Sequence, residues 1–247
     1  MNNKPVQLYL IGGITGLLGG LLMVISSGLV LFHVQAAYLG TPEQKMAFIA
    51  SHPLVGVTHG IGVASLILIV PTVIALFALL RTVATARSFF GIGFALLWLC
   101  IEMVEHLSQT APLRALSELY NTPPSLPQTT PLNASGEFDP FSRGIAMSIY
   151  HVSEELWEAF SRTGGFMSAL MSLCYGLALI KAGNPPSPPL KRGVGGISGY
   201  LFLIAVIALP IGLAISGVGT QLHVAVRGLA FCIVAVSLIK IAMTKEE

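Results

Sequence analysis

The chain has 247 residues, of which 54% are hydrophobic and only 10% are charged. Its mean hydropathy is +0.80, whereas an average soluble domain carries roughly 25% charged residues, so the composition indicates a membrane protein. The 13 Lys and Arg against 11 Asp and Glu give a net charge of only +2, which excludes the basic surface that nucleic-acid binding requires. The few charges have to be located, because a charge in hydrocarbon is costly and usually serves a function.

Six apolar stretches approach or exceed the length of about 20 residues that a helix needs to cross the hydrocarbon layer. In chain order they are Val6 to Phe32, Leu54 to Leu80, Phe89 to Ser108, Gly144 to Ile180, Gly199 to Ser216 and Leu222 to Met243. They lack the alternation of barrel strands, so each is predicted to be a helix. The predicted fold is an all-α, polytopic membrane helix bundle of six transmembrane helices, a single domain over 1–247 with the lipid bilayer as its partner.

The basic residues predict the orientation, because Lys and Arg concentrate in short cytoplasmic loops. With a cytoplasmic N-terminus, eight basic residues fall on the inner side and three on the outer side. The inner ones are Lys4, Arg81, Arg87, Lys181, Lys191, Arg192, Lys240 and Lys245, and the outer ones are Lys45, Arg114 and Arg143. Both termini are therefore predicted to be cytoplasmic, with Arg162 and Arg227 inside the fourth and sixth spans.

Two connections differ from the short loops of a typical bundle. Residues 109–142 form a Pro-rich outer loop between the third and fourth spans, either a flexible segment or a cap over something. Residues 183–197 form a cytoplasmic Pro/Gly linker between the fourth and fifth spans. Glycines of the first two spans, among them Gly12, Gly16, Gly56 and Gly60, predict close packing within the bundle.

Ionisable residues gather toward one end of the predicted spans. Five of the eleven acidic residues lie in the third and fourth stretches, and five of the six histidines lie in or at the ends of spans. With alternating span directions, the histidines and glutamates of the second, third, fourth and sixth spans all fall in the outer half of the bilayer. This convergence predicts an internal polar site.

Spacing sharpens that prediction, because residues three or four apart share one helix face. Carboxylates and imidazoles on facing helices build metal sites in helix bundles, and with no thiolate nearby they suit Zn, Fe or Mn. The predicted metal ligands are His59, Glu102, His106, His151, Glu155, Glu158 and His223. Glu105 and Glu154 are the candidate catalytic residues, one of which would act as general base on a lipid-like or other apolar substrate.

Other interpretations remain open. Glu158 and Arg162 have the spacing of a helix-surface ion pair, and His151 to Glu158 lie more than about 20 residues before Lys181, which places them in the headgroup layer. The whole protein is alternatively a proton-coupled small transporter, a haem-binding protein, or a non-catalytic assembly or sensor protein.

Three features together resemble bacterial six-span integral membrane proteins of unknown function. They are the glycine-rich first span, a second span ending Leu-Phe-Ala-Leu-Leu-Arg, and a fourth span running through Tyr-Gly-Leu-Ala-Leu-Ile-Lys into a glycine-bearing fifth. The resemblance covers most of the chain and implies a bacterial inner-membrane location. It supplies no catalytic residues, and the Pro-rich cytoplasmic insertion departs from the short connection usual in those proteins.

Overall fold

The computed structural model describes residues 4–34, 40–121, 140–183, 194–214 and 218–244. In these ranges the chain is helical throughout, apart from short turns, and contains no strand. The helices are α1 (Lys4–Leu29), continued by a π-helical turn (Val30–Val34), α2 (Pro42–Ser51), α3 (Leu54–Leu80), α4 (Thr85–Ser108), α5 (Ala111–Asn121), α6 (Pro140–Gly183), α7 (Val194–Ala214) and α8 (Val218–Thr244).

Five stretches of helix are long and apolar enough to cross a membrane, which confirms the prediction of a helical, membrane-type chain. They are Val6–Val34, Leu54–Leu80, Thr85–Asn121, Arg143–Ala182 and Gln221–Thr244, and they contain the predicted first, second, third, fourth and sixth spans. The predicted fifth span lies on α7, whose described apolar stretch, Gly196–Pro210, is shorter. The count of six spans and the side on which the termini lie stay predictions.

The six long helices pack as a closed ring. Helix α1 contacts α3 and α8, α4 contacts α3 and α6, and α7 contacts α6 and α8. The centre of the ring is filled by large apolar and aromatic side chains, including Leu76, Trp98, Phe202 and Phe231. Phe231 stacks on Trp98 and meets Phe202 edge-on. Where these four side chains lie, the interior of the ring is filled, as in the core of a soluble protein.

Glycines of α1 allow its backbone to lie directly against two neighbours. A Cβ atom at Gly16 would lie 2.5 Å from the Thr72 hydroxyl, and one at Gly20 would lie 2.6 Å from the Gly228 carbonyl oxygen. The predicted close packing is therefore correct for α1. It is wrong for Gly56 and Gly60, where a Cβ would meet nothing within 4 Å, because the face of α3 that carries them turns away from its neighbours.

Helices α2 and α5, together with the first turns of α6, form a small cap over one end of the ring, which we call the cap end. Their apolar side chains form a second cluster, which contains Met46, Ile49, Leu113 and Tyr150. Helix α2 begins with a capping box, in which the Thr41 hydroxyl accepts from the backbone N–H of Gln44 and the Gln44 side chain accepts from the Thr41 N–H. The cap gives the cap end a roof of protein.

The cap corrects part of the sequence interpretation. The predicted loop 109–142 contains an ordered helix at Ala111–Asn121, and α6 already begins at Pro140. The physical reason is an apolar face, since Leu113, Leu116 and Tyr120 recur at helical spacing and pack into the cap cluster. Residues 122–139 of that loop, and 184–193 of the predicted linker 183–197, lie outside the described residues.

Candidate functional site

A cavity of about 680 Å³ lies at the cap end, between the ring and the cap. Its volume is within the range of roughly 300–1,000 Å³ that is usual for small-molecule sites. Apolar side chains from α1, α3, α5 and α8 share its wall with ionisable ones. All nine predicted site residues line it, namely His59, Glu102, Glu105, His106, His151, Glu154, Glu155, Glu158 and His223. Their chemical roles stay predictions.

Two histidines and a glutamate form a chain across α3 and α4, with a hydrogen bond between the two histidines and a longer gap to the glutamate. The Nδ1 atoms of His59 and His106 are 3.2 Å apart, so one ring donates a hydrogen bond to the other. On its far side, Nε2 of His106 is 3.9 Å from a carboxylate oxygen of Glu102. Gly62 makes room for this arrangement, because a Cβ there would lie 2.7 Å from Nε2 of His106. This chain of groups is suited to exchanging a proton with a molecule in the cavity.

Glu105 is held at the end of α4 and connects it to α6. Its carboxylate accepts a hydrogen bond from the Gln109 amide, and its backbone carbonyl accepts one from the Ser108 hydroxyl. That hydroxyl in turn accepts from the indole N–H of Trp157 at 2.7 Å. The other carboxylate oxygen takes no part in this bond to Gln109, and the catalytic role of Glu105 stays a prediction.

Of the predicted site residues on α6, two form ion pairs and two line the cavity from an exposed stretch of the helix. Lys45 of the cap forms an ion pair with Glu154, which ties α2 to α6 and engages the carboxylate predicted to be catalytic. Glu158 pairs with Arg162 one turn later, in the surface ion pair that the spacing predicted. His151 and Glu155 line the cavity from an exposed stretch of α6.

His223 of α8 lies deep in the bundle and contacts α6, α7 and the next turn of its own helix. Its Nδ1–H donates to the Ala205 carbonyl oxygen of α7 at 2.6 Å. Its Nε2 is 2.9 Å from the Ser168 hydroxyl of α6 and 3.3 Å from Nη1 of Arg227, which donates to it. Both ring nitrogens therefore have partners, and metal ligation by His223 requires one of these contacts to break.

Arg227 is the residue that sequence reasoning missed. It lines the cavity, is only 1% exposed, and stacks its guanidinium over the Trp98 ring at 4.1 Å from the centroid. Its Nε and Nη2 atoms have no hydrogen-bond partner in the part of the chain that the structure describes. The carboxylate of Glu102 interacts electrostatically with the Arg227 guanidinium. In the part of the chain that the structure describes, the two groups do not come close enough to form an ion pair. Its position one turn after His223 in an apolar span was the available signal.

Outside the spans, the titration of one carboxyl group is shifted. The hydrogen bond from the Thr41 side chain, together with one from its own backbone, lowers the pKa of Glu43 in the first turn of α2. Glu43 is fully exposed, so this shift describes the start of the cap rather than the cavity.

The described residues do not bring together three or more His, Cys, Asp or Glu side chains in an arrangement that could hold a metal ion. The nearest approach is the pair His59 and His106, whose third neighbour, Glu102, lies on the opposite side of the His106 ring. The described residues therefore provide no complete ligand set, and the metal site stays a prediction.

The comparisons with known proteins give no family for the chain. No protein-family model, no curated protein and no solved structure matches it. The resemblance to bacterial six-span membrane proteins stays a prediction, and the function has to be argued from the cavity.

Proposed function

We propose that this chain is a six-span integral protein of a bacterial inner membrane with both ends on the cytoplasmic side. The ring supports six spans, because α7 closes it between α6 and α8, and its 21 residues extend about 31 Å, the thickness of the hydrocarbon layer. The excess of Lys and Arg on one side supports the orientation. Green fluorescent protein fused to either end is expected to fluoresce in the cytoplasm, and a dark but stable fusion at one end alone refutes the even number of spans.

We further propose that the cavity binds a small, lipid-like or otherwise apolar molecule that carries a polar group. The observation that carries this proposal is the convergence of buried His59 and Arg227 and half-buried His106 and Glu102 on one cavity that is also lined by apolar side chains. Buried ionisable groups are destabilising unless they serve a ligand or each other. The chain His59–His106–Glu102 then provides acid–base groups for the bound molecule.

This binding function fits the interior better than two of the alternatives do. Transport needs a polar path to the far end of the bundle, but beneath Arg227 the centre is occupied by Trp98, Phe202 and Phe231. Haem ligation by the histidine pair needs a porphyrin between the two rings, and the 3.2 Å between their Nδ1 atoms leaves no room for one.

Metal binding is the second candidate, favoured by one distance. Two nitrogens on a tetrahedral zinc ion with Zn–N bonds of about 2.0–2.1 Å stand about 3.3 Å apart, close to the 3.2 Å between His59 and His106. This candidate requires a third protein ligand to move toward the two histidines, and the predicted candidate base is Glu105, which lines the same cavity. Metal analysis of purified protein decides it: stoichiometric Zn, Fe or Mn that is lost in His106→Ala supports the candidate, and metal-free folded protein refutes it.

Ligand binding is testable by tryptophan fluorescence. Of the two tryptophans in the chain, Trp157 lines the cavity and Trp98 lies under Arg227. We expect ω-bromoundecanol, whose bromine quenches tryptophan, to quench the purified protein saturably in gentle detergent. The neutral alcohol tests the cavity without testing any charged contact.

A matched pair of variants on α6 makes this experiment specific. Ser161→Phe places a ring in the cavity wall and is expected to weaken saturable quenching severalfold, whereas Ser148→Phe alters an exposed position outside the cavity. Equal, non-saturating quenching of wild type and both variants shows that the probe only partitions into detergent, and overturns the proposal.

A further inference from the structure

We propose that Arg227 is a subsite for an oxyanion, the carboxylate or phosphate group of an anionic amphiphile bound in the cavity. This inference rests on the proposed binding function and names the chemistry of the ligand. Arg227 is buried to 1% exposure, lines the cavity, and leaves two donor atoms without hydrogen-bond partners among the described residues.

The two free donors lie on the same edge of the guanidinium. Nη1 is used by His223 at 3.3 Å, and the atoms left are Nε and Nη2. These two N–H groups point in nearly parallel directions and match the two oxygens of a carboxylate or phosphate in a bidentate pair. A neutral hydroxyl offers neither the second oxygen nor the negative charge.

The neighbouring residues hold this edge in place. Trp98 lies against one face of the guanidinium, where the stacking favours the cation and limits its rotation. His223 is itself anchored to α6 and α7, so its contact with Nη1 fixes the opposite edge. The arginine is therefore held in one orientation, and an anion reaches its two covered donors only when a neighbouring side chain of the cavity wall moves aside.

Burial of unpaired charged donors is unfavourable, so the arrangement needs a compensating partner. Glu102 interacts with Arg227 electrostatically but forms no ion pair with it within 4.0 Å in the described part of the chain. It therefore lowers the free-energy cost of burying the charge without occupying the Nε and Nη2 donors. An incoming anion competes with Glu102 for the cation. Neutralising Glu102 is therefore expected to strengthen anion binding.

The rest of the cavity wall favours an amphiphile over a free ion. Val224 lies one turn before Arg227 on α8, and Met23 and Leu66 line the cavity from α1 and α3. A cavity of about 680 Å³ is far larger than a phosphate ion, and its apolar wall gains from covering a hydrocarbon chain. Carboxylate and phosphate headgroups share the chemistry that the fork recognises.

The test compares ω-bromoundecanoate with ω-bromoundecanol by tryptophan quenching in the purified full chain. We expect the carboxylate to bind at least about tenfold more tightly than the alcohol, because a bidentate charged pair is lost in the alcohol. Arg227→Met is expected to remove this preference and to keep alcohol binding. Arg227→Lys keeps the charge but not the fork, and is expected to retain only part of the preference.

Controls separate the possible failures. Arg162→Met, at an exposed arginine paired with Glu158, is expected to leave both affinities unchanged, and Glu102→Gln to increase carboxylate affinity. An unchanged carboxylate preference in Arg227→Lys, or in folded Arg227→Met, overturns the subsite while alcohol binding upholds the cavity; loss of alcohol binding in wild type overturns the proposed function itself. If Arg227→Met does not fold, Arg227→Lys decides.

Two further arms identify the source of the anion. Dodecyl phosphate is expected to displace ω-bromoundecanoate, whereas millimolar acetate or inorganic phosphate is expected to leave it bound. Displacement by inorganic phosphate at the same concentration as the amphiphile overturns the assignment to an amphiphile.

Discussion

Gly62 offers the sharpest test of the histidine pair, because one methyl group there acts on a single contact. A Cβ at Gly62 would lie 2.7 Å from Nε2 and 2.8 Å from Cδ2 of His106. Ordinary contact begins at 3.4 Å, so Gly62→Ala pushes the imidazole by about 0.7 Å. The ring has to turn, and its hydrogen bond to His59, now 3.2 Å, is strained or broken.

The size of the effect follows from two opposing terms. Replacing a mid-helix glycine by alanine stabilises a helix by roughly 0.5–1 kcal/mol, and losing the hydrogen bond costs about 1 kcal/mol, with displaced packing in addition. The matched control is Gly60→Ala on the same helix, where a Cβ meets nothing within 4 Å. We expect Gly62→Ala to be about 1–2 kcal/mol less stable than Gly60→Ala.

Thermal or denaturant unfolding of both variants in the same detergent measures this difference. The quenching assay on the same samples reports whether the displaced His106 ring also alters binding in the cavity. Equal stability of Gly60→Ala and Gly62→Ala would refute the reasoning, because it would mean that His106 does not occupy the space beside Gly62.

Two further predictions concern the cap and the packing of α1. Lys45→Glu and Glu154→Lys are each expected to lower stability by up to about 1 kcal/mol, because the pair is partly exposed, and the double exchange is expected to recover most of the loss in a double-mutant cycle. Additive losses would show that the ion pair does not hold the cap. Gly16→Leu is expected to separate α1 from α3 and cost at least about 2 kcal/mol in unfolding experiments, whereas Gly28→Leu, with open space at its Cβ, is expected to cost little; similar losses contradict the packing.

The candidate site shows which features of the structure a sequence pattern can predict. Alternating span directions place Glu102, Glu105 and His106 at the same end as His59 and His223, and these residues do line one cavity. The spacing of Glu158 and Arg162 also predicted their ion pair correctly. Both inferences depend only on helix geometry and on the order of the spans, which local hydrophobicity determines.

A sequence pattern does not predict which side chains on different helices contact each other. Glu154 was predicted to be one of two candidate catalytic residues, but Lys45, more than 100 residues earlier, forms an ion pair with it from a cap helix. Arg227 was left without a role, because its stacking on Trp98 and its contact with His223 depend on how α4 and α8 are rotated. The helix at Ala111–Asn121 was read as part of a loop, since its short apolar face is stabilised only by the cap.

The composition, with 10% charged and 54% hydrophobic residues, determined by itself that the chain forms long apolar helices. It also made the few ionisable groups within those helices easy to identify. Apolar burial accumulates along a segment, so it can be read residue by residue. Only the tertiary structure decided which of those groups touch, that a cap covers them, and that a buried arginine beside the cavity has two donors without partners among the described residues. Whether two side chains touch depends on differences of a few tenths of an ångström in the positions of helices that are far apart in the chain. No local sequence pattern contains that information.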